Sequence, residues 1–261
     1  MNLPALDIAV LTYKPVGIMR VCKLLLQPQD GVRYIVSWQA HENAPIPPQL
    51  IRDDVVVLRY DGVGQSANWN NAIEHCTADI ILRADDDIEY TPEAFARIRK
   101  AFAENPDMDL ALFGIEMNPR KPYPETMCPA WPVPKGLWVG GPEIAVRRKT
   151  AGELRAHPLL GLNAPYLQAG EDEYFVFSAV RRGLDCRYVP IVIGRHPHVS
   201  TGAKTSKGVL RAQGALITLT HPRTFVLRLP LKAWRLWRSG KSALLPSLWR
   251  LFQGALYSRK I

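Results

Sequence analysis

The chain has 261 residues, 47% of them apolar, which is enough for one sizeable core or a core with a small appendage. Charged residues make up 22%, an ordinary fraction that excludes a disordered tail. No basic-then-apolar leader opens the sequence, no apolar run is long enough to span a bilayer, and the four cysteines (Cys22, Cys76, Cys128, Cys186) lack zinc or redox spacing, as expected of reduced cytosolic thiols. The net charge of +9 hides a polarity: fourteen Lys and Arg follow Asp185 with no acidic residue among them, which leaves residues 1–185 at −5.

In chain order, Asp7 to Leu11 is a short apolar run ending at Thr12, Tyr13 and Lys14, and it predicts a buried first strand. A helix follows over Ile18 to Leu26, then strands at Tyr34 to Trp38 and Val55 to Leu58. Asn68 to Cys76 reads as a helix with Asn68 at its cap. Asp79 to Leu82 is the fourth strand and runs into Asp85, Asp86 and Asp87. Thr91, Pro92 and Glu93 open a helix reaching Phe102. Residues 117–142, rich in Pro and Gly, predict a long loop in which Trp131 and Trp138 either pack on a sugar ring or belong to the core. Ile144 to Val146 is a strand, Glu173 to Arg182 a helix closed by Gly183, and Arg187 to Ile193 a last strand before Arg195, His196, Pro197 and His198. Ser200 to Gly208, with Lys204 and Lys207, reads as a flexible loop or an exposed connector. His41, His75, His157 and His221 read as surface or structural residues.

This alternation predicts a mostly parallel, Rossmann-like α/β sheet flanked by helices, with ligands beyond the C-terminal strand ends. Thr12-Tyr13, Ser37-Gln39 and the aspartates all fall on that rim. Three adjacent carboxylates repel one another, and a bound Mg2+ or Mn2+ would remove the conflict and bridge to diphosphate oxygens. The alternative is a solvated acidic turn before the Thr91 helix. Ser66, Asn68 and Asn70 sit in a Gly- and amide-rich stretch that suits phosphate or nucleotide contact, although such clusters are often only turns. Gly170-Glu171-Asp172-Glu173 likewise suits either a site or an acidic first helical turn.

Taken together, Ser66-Ala67-Asn68-Trp69-Asn70-Asn71-Ala72-Ile73, the aspartate triplet and Gly170-Glu171-Asp172 resemble family 2-type bacterial glycosyltransferases of GT-A fold, over roughly residues 7–200. The resemblance implies a metal-dependent, inverting transfer from a nucleotide-sugar to a hydroxyl of a glycan or lipid-linked acceptor, in cell-envelope polysaccharide or lipopolysaccharide synthesis. It implies Asp85 and Asp87 as the DxD pair holding Mn2+ or Mg2+, Asp87 directly, with His196 or His198 completing the shell. Asp86, Thr12, Tyr13, Ser37, Gln39, Ser66, Asn68 and Asn70 fall on the donor side, Asp172 acts as general base, and Glu171 orients it or binds the acceptor. One departure concerns the nucleotide: Val36-Ser37-Trp38-Gln39-Ala40 stands where many members carry an acidic pair, so UDP is a default only.

Residues 223–261 interleave Trp and Leu with Arg and Lys at helical spacing, as a basic amphipathic helical extension to a catalytic domain at 1–222. Such an extension either lies on the inner face of the cytoplasmic membrane or packs on the domain. A nucleotidyltransferase would favour a Gly-rich basic loop where Thr12-Tyr13-Lys14-Pro15 stands, and a dehydrogenase a GxGxxG turn. A peripheral membrane or nucleic-acid binding protein would leave the acidic clusters unexplained, and no nucleic-acid partner is expected.

Overall fold

The structure, a computed structural model, describes residues 3–118, 120–134, 136–197 and 205–261. Among the described residues nine strands form one mixed sheet: β1 (Leu6–Tyr13), β2 (Val32–Gln39), β3 (Val55–Tyr60), β4 (Ile80–Asp85), β5 (Glu89–Tyr90), β6 (Leu110–Glu116), β7 (Cys128–Pro129), β8 (Ile144–Arg147) and β9 (Cys186–Arg195). The spatial order is β3-β2-β1-β4-β8-β6-β9-β5, with β7 on β9. The run β3-β2-β1-β4 is parallel, as is β6 with β9, and β8 enters antiparallel between β4 and β6. β6 has no counterpart among the expected elements.

β1 is buried on both faces, which is why its sequence is a continuous apolar run rather than an alternating one. Leu6, Ile8 and Val10 point to a core closed by α1 (Lys14–Leu24) and α3 (Pro92–Glu104). Phe95, Ile98 and Phe102 of α3 are buried there, each contributing about 1.5–3 kcal/mol by leaving water. Trp69 of α2 (Gln65–His75) meets Phe175 of α5 (Glu171–Arg181) edge-on at 6.0 Å. Asp7, on the other pleat of β1, is fully buried. It accepts the amides of Thr77 and Ala78 and two hydrogen bonds from Arg33, fixing the turn that feeds β4.

Helix starts differ from expectation in instructive ways. α2 begins at Gln65, so Asn68 lies inside the first turn rather than at the cap. Thr91 occupies the cap of α3, but its side chain makes no capping bond, and Pro92 supplies the preset φ. Gly183 does end α5, at φ +78°, and its N–H donates to the Val180 carbonyl. Two helices appear where none was expected: α4 (Arg148–Glu153) and α6 (Lys207–Thr220). The expected loop over 200–208 therefore ends at Ser206, whose hydroxyl accepts the Val209 amide and opens α6 at Lys207. Lys204 lies outside the described residues.

The chain divides into two compact units, and not at residue 222. The first holds residues 1–63, 67–155 and 175–199, and the second 64–66, 156–174 and 200–261. In the second unit α8 (Leu244–Tyr257) packs on α6 and α7 (Phe225–Arg238), so the basic extension is joined to residues that sequence alone assigns to the catalytic domain.

Candidate functional site

In the first unit, β1 and β4 end side by side, with Leu11 opposite Asp85. That register brings Thr12 next to Asp86. The Thr12 hydroxyl donates to Asp86 Oδ2 at 2.6 Å, and Arg20 of α1 donates Nε to Oδ1 at 2.8 Å and Nη2 to Oδ2 at 3.0 Å. Asp86 is only 7% exposed, and burial raises its carboxyl against the pull of Arg20 and Thr12. Gly17 makes the room: a Cβ there would lie 2.4 Å from Thr12 Oγ1 and 2.7 Å from Asp86 Oδ2. The middle aspartate is thus a brace, turned away from solvent.

Its neighbours keep an open face, with 29% of the Asp85 side chain and 24% of the Asp87 side chain exposed. Asp85 lies 3.5 Å from Arg83 Nη2, and Asp87 lies 3.6 Å from His196 Nε2. The antiparallel pairing of β5 with β9, Glu89 opposite Arg195, carries His196 to Asp87. Each carboxylate therefore has its own cationic or ionisable neighbour, which eases the repulsion within the triplet.

Among the described residues no three His, Cys, Asp or Glu side chains converge as a metal site would. His198 lies outside the described residues. Asp87 with His196, and Asp85 beside them, suit a different arrangement, in which one or two protein ligands hold Mg2+ or Mn2+ and substrate phosphates and water fill the remaining positions.

The donor-side residues on β2 and α2 fall mostly inside. Ser37 is fully buried and accepts a hydrogen bond from Asn71 at 2.7 Å, so it anchors α2 to the sheet and presents nothing to a ligand. Gln39 is buried and donates to the Gly62 carbonyl at 2.6 Å. Asn68, also buried, donates to the Thr12 carbonyl at 3.3 Å, and its Oδ1 has no partner among the described residues. Trp69, Ala72 and Ile73 of the same motif are core residues. Asn70 is partly exposed and Tyr13 exposed, next to Lys14 at φ +64°. Trp38 Nε1 holds that left-handed turn by donating to the Lys14 carbonyl at 3.0 Å. Such a conformation in a non-glycine residue costs about 1–3 kcal/mol and concentrates at functional sites.

In the second unit, Ser66 is buried and donates to the Leu160 carbonyl at 2.6 Å. Gly170, at φ +86°, turns the chain into α5, and Glu171, Asp172 and Glu173 form its acidic first turn. Glu171 and Asp172 are partly exposed. Burial raises the Glu173 carboxyl, and the positive charge of Lys232 on α7 opposes the rise.

The two loop tryptophans, in the first unit, have different roles. Trp131 packs tilted on Phe177 at 5.1 Å, whereas Trp138 is exposed, with Lys121 Nζ 4.4 Å from its ring centre. The loop is organised by a fully buried ion pair that sequence reading missed. Lys121 donates to Glu143 Oε1 at 2.5 Å and to the Trp138 carbonyl at 3.0 Å, while Tyr123 and the Gly140 amide also donate to Glu143. A Lys and a Glu 22 residues apart in a Pro-rich stretch carry no local signal of pairing.

Residues 47–149 match the family model described as "Glycosyl transferase family 2". That stretch includes β3, α2, β4, the triplet and β6. No curated protein matches the chain. Among solved structures, S. aureus TarS 1–349 is similar at 14% identity and TM-score 0.56, covering 82% of this chain and 65% of that one. Its complex with UDP-GlcNAc gives 13% identity and TM-score 0.58 over 82% and 66%. The TarS structure of which this chain covers 40% gives TM-score 0.57 at 14% identity. The chain thus spans about two-thirds of the TarS 1–349 fragment. The likeness shows a GT-A-type fold, and within it residues 47–149 are similar to the glycosyl transferase family 2 model.

Proposed function

We propose that the chain transfers a sugar from a nucleotide-sugar to a hydroxyl of a glycan or lipid-linked acceptor, with inversion, in cell-envelope polysaccharide or lipopolysaccharide synthesis. The observation that carries this reading is the end of β4: inside the stretch matched by the family model, Asp86 is locked by Thr12 and Arg20 while Asp85 and Asp87 keep an open face. A UDP-sugar is the favoured donor, because TarS, similar in fold, has been crystallised with UDP and with UDP-GlcNAc.

Asp87 and Asp85, with His196, would hold Mn2+ or Mg2+. The bound cation would supply charge neutralisation for a departing nucleoside diphosphate. Tyr13 and Asn70 offer the partly exposed contacts nearest the strand ends. Asp172 takes the proton of the acceptor hydroxyl, and Glu171 orients it. The single displacement forms the new glycosidic bond as the bond to the diphosphate breaks, with the proton passing to Asp172. The basic C-terminal segment suits a peripheral position on the inner, anionic face of the cytoplasmic membrane, and among the described residues no helix is long and apolar enough to cross one.

The test is to incubate the protein with a panel of nucleotide-sugars and Mn2+ and to follow nucleoside diphosphate release and thermal protection. Manganese-dependent release of UDP supports the reading. Consumption of nucleoside triphosphates with pyrophosphate release, and no effect of any nucleotide-sugar, would overturn it in favour of a nucleotidyltransferase.

A further inference from the structure

The second unit carries an apolar surface that its own fold leaves uncovered. α8 is clamped on α6 by glycines on both helices. A Cβ at Gly214 would lie 1.9 Å from the Leu251 carbonyl oxygen, and one at Gly254 would lie 1.8 Å from that of Arg211. Ser247, Leu251, Gly254 and Ala255 are buried on that side. The clamp fixes the rotation of α8 and leaves Leu245, Trp249, Phe252 and Leu256, spaced i, i+4, i+7 and i+11, along its outer face. Leu245 is 74% exposed and Trp249 55%.

α7 repeats the arrangement. Leu229, Ala233 and Leu236 point inward, while Val226, Leu227, Leu231, Trp234 and Trp237 face out. At about 100° per residue, Arg228 and Arg235 line one flank of that outer face. Between the helices lies an open cleft of about 390 Å³, lined only by apolar residues, among them Val226, Leu229, Pro230, Leu245, Trp249 and Phe252. A sugar or nucleotide would find no polar group there to orient it.

We propose that α7 and α8 form one bilayer-facing surface that lies in the interface of an anionic leaflet, with the cleft between them receiving a lipid acyl chain. This rests on the reading of the C-terminal segment as a membrane contact, and it assigns the face, the depth-setting residues and the chain-binding groove. Charge selects the occupant. No acidic residue follows Asp185, so a second copy docked on this face would set Arg228, Arg235 and Arg238 against like charges with no carboxylate from α7 or α8 to pair them. Anionic headgroups provide that pairing, and Trp234, Trp237 and Trp249 suit the interfacial layer. Lys232, on the inner edge of the same flank of α7, is half-buried near Glu173, the residue after the proposed base Asp172. One helix therefore joins the membrane face to the acceptor-side turn, as an acceptor embedded in the same leaflet requires.

The experiment uses the full chain, without donor or metal, so that its outcome is independent of catalysis. Binding is measured by co-sedimentation with phosphatidylglycerol/phosphatidylcholine vesicles and with phosphatidylcholine alone, and Trp fluorescence is followed in vesicles with brominated acyl chains. The wild type binds anionic vesicles and is quenched. Leu245→Glu and Trp249→Glu, at exposed positions, lower binding at least tenfold with an unchanged unfolding midpoint, and Arg228→Glu with Arg235→Glu removes the preference for anionic lipid. Three results would overturn the proposal: vesicle binding that these variants leave intact, wild-type binding without quenching, or a lipid-independent dimer that Trp249→Glu dissociates.

Discussion

Arg20 grips Asp86 with two hydrogen bonds of 2.8 and 3.0 Å, reaching from the middle of α1 to the centre of the aspartate triplet. With the Thr12 hydroxyl on the same carboxylate, the contact ties two strand ends and a helix into one rigid corner. Asp85 and Asp87 flank Asp86 in the chain, so its position sets theirs.

Breaking this brace should lower both stability and turnover. Arg20→Ala leaves a buried carboxylate with one donor instead of three, at about 1–3 kcal/mol, measurable by urea unfolding. Gly17→Ala pushes on Thr12 and Asp86 together and should cost a similar amount, about 1–3 kcal/mol, through overpacking. A displacement of the corner by about 1 Å should reduce kcat/KM on the order of 10²-fold. Wild-type kinetics in either variant would show that the brace has no part in placing Asp85 and Asp87.

The two proposed halves of the reaction should fail in different ways. Asp172→Asn should keep donor binding and lose about 10²–10⁴-fold in kcat, since only base assistance is removed. Asp87→Ala should lose metal-dependent thermal protection by nucleotide as well as turnover. His196→Ala should weaken Mn2+ by roughly 10–100-fold, whether it ligates directly or positions Asp87. Titration of Mn2+ against nucleotide protection separates these variants, and a fully active Asp87→Ala protein would remove the metal proposal.

Glu143 and Lys121 should behave as a unit. Glu143→Leu alone takes the carboxylate from a buried ammonium and should cost about 3–5 kcal/mol, whereas the double change with Lys121→Met should recover most of it. Limited proteolysis across 117–143 reports the loop directly. Equal sensitivity in single and double variants would mean that the ion pair does not order it.

Burial holds the Cys186 thiol at about 12 and pushes that of Cys76 up as well, both from an ordinary 9.0. Both groups keep their protons in the folded state where an unfolded chain has lost them. Their contribution to stability is therefore complete below about pH 9 and falls as pH rises toward 12. Alkylation at pH 8 should label Cys128 and Cys22, which are partly exposed, and reach Cys76 and Cys186 only on unfolding. Labelling of all four at equal rates in the folded protein would contradict this burial.

Most strands and helices, though not β6, α4 or α6, and the placing of the triplet at a strand end and of Glu171-Asp172-Glu173 at a helix start were legible in sequence. Apolar periodicity, Pro at a helix start and Gly after a helix end act within a few residues. What the side chains do was not legible. Nothing near Asp86 distinguishes it from Asp85 or Asp87, and its inward turn depends on Arg20 and Thr12, 66 and 74 positions away, and on the space left by Gly17. Ser37 and Gln39 sit on the expected rim yet are consumed by Asn71 and Gly62. α6 had no counterpart among the expected elements, and it carries two weak helix formers, Gly208 and Gly214, the second of which it needs to admit α8. Local sequence determined most of the segments that become strands and helices. Only tertiary packing decided which polar groups are spent on holding the fold and which stay open, because a hydrogen-bond partner is chosen by proximity in space.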